Sequence, residues 1–177
     1  MKHRKHLLKI CVLLSIFVCA SLAPSAFAQG RPPSDIEQKI GVGLKVLTSH
    51  GAVAGINARY WTDSNFGLEG GWMARGGWNV IPISALYTMS HFETNDLYIR
   101  PYVGGGLNLN RWSSARWYSY WGTRSYSESS IGGQGFVGVE FTARAFPRLS
   151  FGSDLGIHSF GYGNSFALGI NVLYYVK

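Results

Sequence analysis

Every second residue from Leu97 to Leu109 is apolar or glycine: Leu97, Ile99, Pro101, Val103, Gly105, Leu107 and Leu109. Between them stand Tyr98, Arg100, Tyr102, Gly104, Gly106 and Asn108. Successive side chains of an extended chain point to opposite sides, so this alternation predicts one strand with an oily face and a polar, glycine-rich face. At about 3.3 Å per residue the strand runs roughly 40 Å, and about 9–11 tilted residues already span a bilayer.

The same rhythm recurs along the chain. A first strand is expected over about Ile40–Leu47, with Ile40, Val42, Leu44 and Val46 opposite Gly41, Gly43 and Lys45. Ser49-His50-Gly51 is a tight-turn signal. The second strand, about Val53–Trp61, sets Ala54, Ile56, Ala58 and Tyr60 against Gly55, Asn57 and Arg59. After a turn at Thr62–Asn65, the third (Phe66–Arg75) sets Phe66, Leu68, Gly70 and Trp72 against Gly67, Glu69, Gly71, Met73 and Arg75. Gly76-Gly77 reads as a hairpin turn. The fourth strand, about Trp78–Met89, carries Ile81, Ile83, Ala85 and Tyr87 on its apolar side. Pro82 lacks a ladder donor and predicts a bulge or a local gap there. Leu97–Leu109 is the fifth strand, and Gln134–Phe141, Leu149–His158 and Phe166–Val176 are the sixth, seventh and eighth. Trp112–Ser130 stands between the fifth and sixth as a long polar-aromatic insertion.

The polar faces collect Lys45, Arg59, Glu69, Arg75, Arg100, Glu140 and Asp154, all at positions the apolar faces avoid. Four bases and three acids can pair inside a closed barrel, whereas a single Arg or Lys facing lipid at the midplane costs about 2–4 kcal/mol. An eight-stranded barrel has room inside only for side chains, so glycines must offset the large ones. A soluble barrel or sandwich with the oily face inside would instead put a wall of Gly, Arg and Glu in water, where Gly weakens a strand. Tyr60, Trp72, Trp78, Tyr87 and Tyr174 fall at or near strand ends, where an interfacial aromatic girdle belongs.

Composition changes this picture mainly at the N-terminus. Lys2, Arg4, Lys5 and Lys9 precede an apolar stretch, Ile10–Leu22, and an Ala26-Phe27-Ala28 exit, the pattern of a secretory signal cleaved after Ala28. Both cysteines, Cys11 and Cys19, lie in that segment, so the expected mature chain has neither disulfide nor thiolate site. Four of the 16 Lys and Arg lie there too, leaving 12 against 9 Asp and Glu, or +3. The high pI of the whole chain therefore gives no reason to expect nucleic acid as a partner. No long apolar run follows the signal, which leaves strands as the only membrane-crossing element.

Residues 1–28 are thus expected as signal peptide, 29–38 as a lead-in, and 39–177 as an eight-stranded antiparallel up-and-down transmembrane β-barrel. With the first strand starting on the periplasmic side, Trp112–Ser130 falls outside, together with Thr48–Gly51, Arg75–Trp78 and Ser159–Asn164. That agrees with longer loops facing outward. The stretches Pro101-Tyr102-Val103-Gly104-Gly105-Gly106-Leu107 and Gly135-Phe136-Val137-Gly138-Val139-Glu140-Phe141, with the strand Arg148–Gly156, resemble small outer-membrane barrels of the OmpA and OmpX type. The resemblance runs through the mature chain as a pattern and is sharpest over Leu97–Val176. It implies an outer-membrane location, insertion by the cell's barrel-insertion machinery, lipid and lipopolysaccharide as neighbours, and a monomer. The peptidoglycan-binding domain that follows some of these barrels is not expected here.

The residues offer little chemistry. His158-Ser159, with Glu128, Glu140 or Asp154, invites comparison with the outer-membrane lipid A deacylases, whose pattern resembles His-x-Ser-Asn. Adjacent strand residues point to opposite faces, however, and no G-x-S-x-G elbow is present, so no enzyme activity is expected. His50, His91 and His158 lack metal-ligand spacing, and Gly104-Gly105-Gly106 lies within a strand rather than before a helix; neither metal nor cofactor is expected. Trp112, Arg116, Trp117, Tyr118, Tyr120, Trp121, Arg124 and Tyr126 are the candidate binding residues. The segment holds three of the six tryptophans, and aromatic rings with Arg suit lipopolysaccharide, a glycan or a host surface. The simpler reading of the same composition is that the fifth and sixth strands extend past the membrane as a hairpin held by cross-strand aromatic pairs.

Overall fold

The structure, a computed structural model, describes residues 39–49, 51–62, 65–88, 90–119, 122–159 and 163–176, with backbone alone over 114–119 and 122–126. The expected signal peptide and lead-in, and with them His50, Tyr120, Trp121 and Lys177, lie outside the described residues.

The strands are β1 (Ile40–Thr48), β2 (Ala52–Trp61), β3 (Phe66–Arg75), β4 (Trp78–Tyr87), β5 (Phe92–Glu93), β6 (Leu97–Ser119), β7 (Gly122–Ala143), β8 (Leu149–Ser159) and β9 (Asn164–Val176). Consecutive long strands pair antiparallel, β4 pairs with β6, and β9 returns to β1. The eight long strands therefore close on themselves, which removes sheet edges from the barrel wall. The two-residue β5 lies on β6, with Phe92 opposite Ile99 and Glu93 opposite Tyr98.

The strands are strongly tilted. From Thr48, cross-strand partners lead in turn to Leu168, Leu155, Val137, Val103, Tyr87 and Phe66. Thr48 ends β1 at the end of the barrel where β6 and β7 join, whereas Phe66 begins β3 at the opposite end. Barrel closure requires such a stagger.

Local sequence accounts for the joints. Gly76 (φ 52°) and Gly77 (φ 88°) make the two-residue turn between Arg75 and Trp78, a geometry that needs positive φ at both central positions. The β3–β4 ladder runs from Phe66–Tyr87 to Gly70–Ile83, lapses opposite Pro82, and resumes at Met73–Val80. This is the local gap expected of a proline with no N–H to give.

Along each strand the apolar positions face outward. Leu44, Ile56, Leu68, Ile83, Leu107, Val137, Phe151 and Ile170 are all exposed, so the belt includes every long strand. A soluble monomer rarely exposes a continuous apolar surface of this extent. Inside, Trp61, Leu86, Tyr102, Phe136, Leu173 and Tyr175 pack together, and Leu47, Val53, Met73 and Ala167, with Trp78 against them, fill the hairpin end. Four inward aromatics each lie directly across from a glycine on the next strand. The pairs are Tyr175–Gly41, Trp61–Gly67, Tyr102–Gly138 and Phe136–Gly104. A Cβ added at these glycines would sit 2.9, 2.7, 2.5 and 2.4 Å from the ring. The rings thus occupy the space that side chains would have filled.

Two expectations need correction. Trp112–Ser130 is not a loop on the backbone, because β6 runs to Ser119 and β7 starts at Gly122. The simpler reading, an extended hairpin, describes this backbone; its ladder shifts register only between Ser114 and Trp117. Trp78 is not a girdle residue either. It is half-buried and packs inward on the Leu47 cluster, whereas Tyr60, Trp72, Tyr87 and Tyr174 do face out.

Candidate functional site

Two places could carry function: the barrel interior and the β6–β7 hairpin. Six of the seven charges that alternation assigns to the interior come together there. Lys45 (β1) donates to Glu69 (β3) at 2.6 Å and lies 3.0 Å from Asp154 (β8). Arg59 (β2) donates through Nε to the same Glu69 at 2.9 Å, and its terminal nitrogens reach Glu69 and Glu140 (β7). The Tyr175 hydroxyl donates to Glu140 at 3.0 Å, while the Trp61 indole donates to the Tyr175 oxygen at 3.2 Å.

Arg100 (β6) sits at the edge of this network. Its guanidinium is 3.9 Å from Glu140, lies 4.5 Å from the Trp61 ring centre, and donates to the Tyr98 hydroxyl at 3.3 Å. That hydroxyl is 2.5 Å from His91 Nδ1. Arg59 is stacked over Tyr102 at 4.6 Å and also donates to its hydroxyl at 3.2 Å. Arg59 and Glu140 are 1% exposed. Buried charges persist only when paired and hydrogen-bonded. Here three cations meet three carboxylates, so the layer is neutral; Lys45, Arg59, Glu69 and Glu140 are hydrogen-bonded within it, whereas Asp154 and the Nη1 of Arg100 contribute through charge proximity alone.

Arg75 does not join them. It closes β3 at the hairpin end, is exposed, and lays its guanidinium over Gly51. Its inward parity is real, but at the last residue of a strand there is no barrel left to enclose the side chain.

The sequence left out the aromatic half of this site. Tyr98, Tyr102, Trp61 and Tyr175 supply hydroxyl, indole and ring-face contacts to Arg59, Arg100 and Glu140. The usable signal was their inward parity, with Tyr102, Trp61 and Tyr175 opposite glycines and Tyr98 opposite Thr142. His158 is buried and stacked on Phe136 with centroids 6.2 Å apart, and the neighbouring Ser159 belongs to the other face. No cluster of three or more His, Cys, Asp or Glu suited to a metal occurs among the described residues.

Of the candidate binding residues, Trp112 is described with its side chain. It is exposed, and its ring lies tilted at 37° to that of Trp78 with centroids 6.2 Å apart. For Arg116, Trp117, Tyr118, Arg124 and Tyr126 the backbone alone is placed, on the two arms of the hairpin, with Trp117 opposite Arg124. Tyr120 and Trp121 lie outside the described residues.

A closed, tilted eight-stranded barrel with an apolar exterior and a neutral charged interior is the fold of the small bacterial outer-membrane barrels. Among solved structures the chain is similar to the N-terminal barrel domain of Pseudomonas aeruginosa OprF, with TM-score 0.60 and 15% identity, covering 78% of this chain and 98% of that one. Neisserial surface protein A aligns at TM-score 0.46 and 20% identity, over 77% and 94%. Yersinia pestis Ail, solved with the heparin analogue sucrose octasulfate, aligns at 0.39 and 13%, over 76% and 94%. No family model and no curated protein matches the chain.

Proposed function

We propose that this protein is a non-catalytic, monomeric barrel of the bacterial outer membrane with a structural and surface-interaction role. Residues 1–28 are its export signal, 29–38 its lead-in and 39–177 the mature barrel. The barrel-insertion machinery places it among lipid and lipopolysaccharide. The observation that carries this reading is the inversion of the usual protein. Leu44, Ile56, Leu107 and Ile170 are exposed, while Lys45, Arg59, Glu69, Arg100, Glu140 and Asp154 are buried. Only a nonpolar solvent around the barrel makes that arrangement favourable.

The interior charges act as a plug rather than a channel lining. Planar bilayers holding the purified protein are expected to show no large, steady conductance. The hairpin carrying Trp112, Arg116, Trp117, Tyr118, Tyr120, Trp121, Arg124 and Tyr126 is the contact surface for a glycan or a host surface. Its aromatic and guanidinium side chains offer flat area and paired donors at low entropy cost.

The deciding experiment fractionates cells expressing the full chain and compares unboiled with boiled outer membranes on a detergent gel. A band in that fraction that shifts on heating is the expected result. A protein that stays in the soluble periplasm with no shift would overturn the reading.

A further inference from the structure

On the outer wall, just below the hairpin, a groove of about 730 Å³ opens between β3, β4, β6 and β7. Its lower row is apolar: Trp72, Ile81, Leu109 and Ile131, with Leu109 paired to both Ile81 and Ile131. The row directly above is polar: Asn79, Arg111 and Ser129, with Arg111 paired to both neighbours. All three point outward, and Arg111 and Ser129 are exposed. The groove coincides with the stretch where the β3–β4 ladder lapses opposite Pro82, and Trp72 and Ile81 beside that lapse line it.

We propose that this groove holds one phosphate-bearing acyl lipid of the leaflet next to the hairpin. The proposal rests on the membrane reading given above. Three features select that occupant. The position is the upper boundary of the apolar belt, where headgroups lie. The apolar row below gives acyl chains a surface of mixed ring and branched side chains. The charge above is a guanidinium, whose fork of N–H donors matches a phosphate in two places, and no carboxylate pairs with Arg111 among the described residues. Asn79 and Ser129, on either side, add an amide and a hydroxyl at hydrogen-bonding reach of a headgroup centred on Arg111. The interior cations are already neutralised, whereas Arg111 is an exposed, outward charge of this wall.

The test titrates the refolded full-length protein in neutral detergent with bisphosphorylated lipid A and counts bound lipid by native mass spectrometry. Dephosphorylated lipid A and inorganic phosphate serve as separate probes. The expected result is one lipid A per protein, bound at least about tenfold more weakly by R111Q and by the dephosphorylated lipid. Phosphate alone should not bind, because the apolar row contributes nothing to it. I131A should weaken lipid A while leaving the dependence on phosphate intact. Equal binding by wild type and R111Q, or by the two lipids, would overturn the proposal, and so would saturable binding of phosphate alone. Both variants change exposed residues, and retention of the heat-dependent gel shift verifies their fold. Loss of that shift in the wild type would instead defeat the membrane reading itself.

Discussion

Between Val103 and Trp112, β6 has a paired strand on each side, β4 and β7; from Ser114 to Ser119 it has β7 alone. The same two strands therefore pass through two environments. In the lower part the wall is closed, and it separates a nonpolar exterior from a packed lumen. Leu107, Val137 and Ile131 face out there, while Arg100, Asn108 and Glu140 face in. In the upper part no flanking strand divides one face from the other, and alternation gives way to a run of Ser, Arg, Trp and Tyr. A period of two is thus the mark of a strand with two different solvents, rather than of a strand as such. The backbone ladder continues regardless, because its hydrogen bonds ask nothing of the side chains.

The interior gives the largest expected effect with which to break this comparison. Glu140→Gln removes one of three carboxylates and leaves Arg59 short of a charged partner in a buried site. Unfolding in urea from lipid vesicles is expected to show a loss of about 3–5 kcal/mol, and a loss under 1 kcal/mol would mean the network is wetter than its burial implies. A charge on the outer wall comes next. Leu107→Arg should cost about 2–4 kcal/mol in the same assay, while Ser127→Arg, on the same two-stranded ladder above the wall, should stay within about 0.5 kcal/mol. Equal effects at the two sites would erase the distinction between the environments.

A steric test sharpens the comparison further. Gly104→Val places a branched side chain where Phe136 and Leu86 already lie, and should lower stability by about 1–3 kcal/mol. The smallest effect belongs to the hairpin. Replacing 115–125 with Asn-Gly joins the paired Ser114 and Tyr126 by a two-residue turn. Stability and the gel shift should barely change, while binding to glycan arrays or host cells should fall. Unchanged binding would remove the hairpin from the proposed function.

Much of the wall was legible because each strand solves the same two-sided problem, and alternation reports the solution residue by residue. Gly76-Gly77 and Pro82 were legible because their backbone chemistry acts locally. What stayed hidden depends on register or on chain neighbours. Which acid neutralises Lys45 follows from the alignment of β1, β3 and β8, and no single strand carries that information. Arg75 shares the parity of Glu69 but lies beyond the enclosed part of β3. The extension of β6 and β7 as a hairpin was the simpler reading of the composition, but where the arms end was hidden because they have no period to read. Arg111 was passed over between the end of the expected fifth strand and the start of the expected insertion, although its odd number places it on the same outward face as Leu107 and Leu109.

The four aromatic–glycine pairs have a consequence beyond packing. If β6 slid two residues along β7, Tyr102 would leave Gly138 and face Glu140 or Phe136; the same slip of β2 on β3 would set Trp61 against Glu69 or Asn65. Hydrogen bonds would tolerate either slip, since every backbone offers the same donors and acceptors. Shape would not. The alignment of neighbouring strands is therefore encoded twice, once in an alphabet with a single letter and once as a set of fitted keys. One of those keys, Tyr175 in Gly41, sits at the seam where the last strand meets the first.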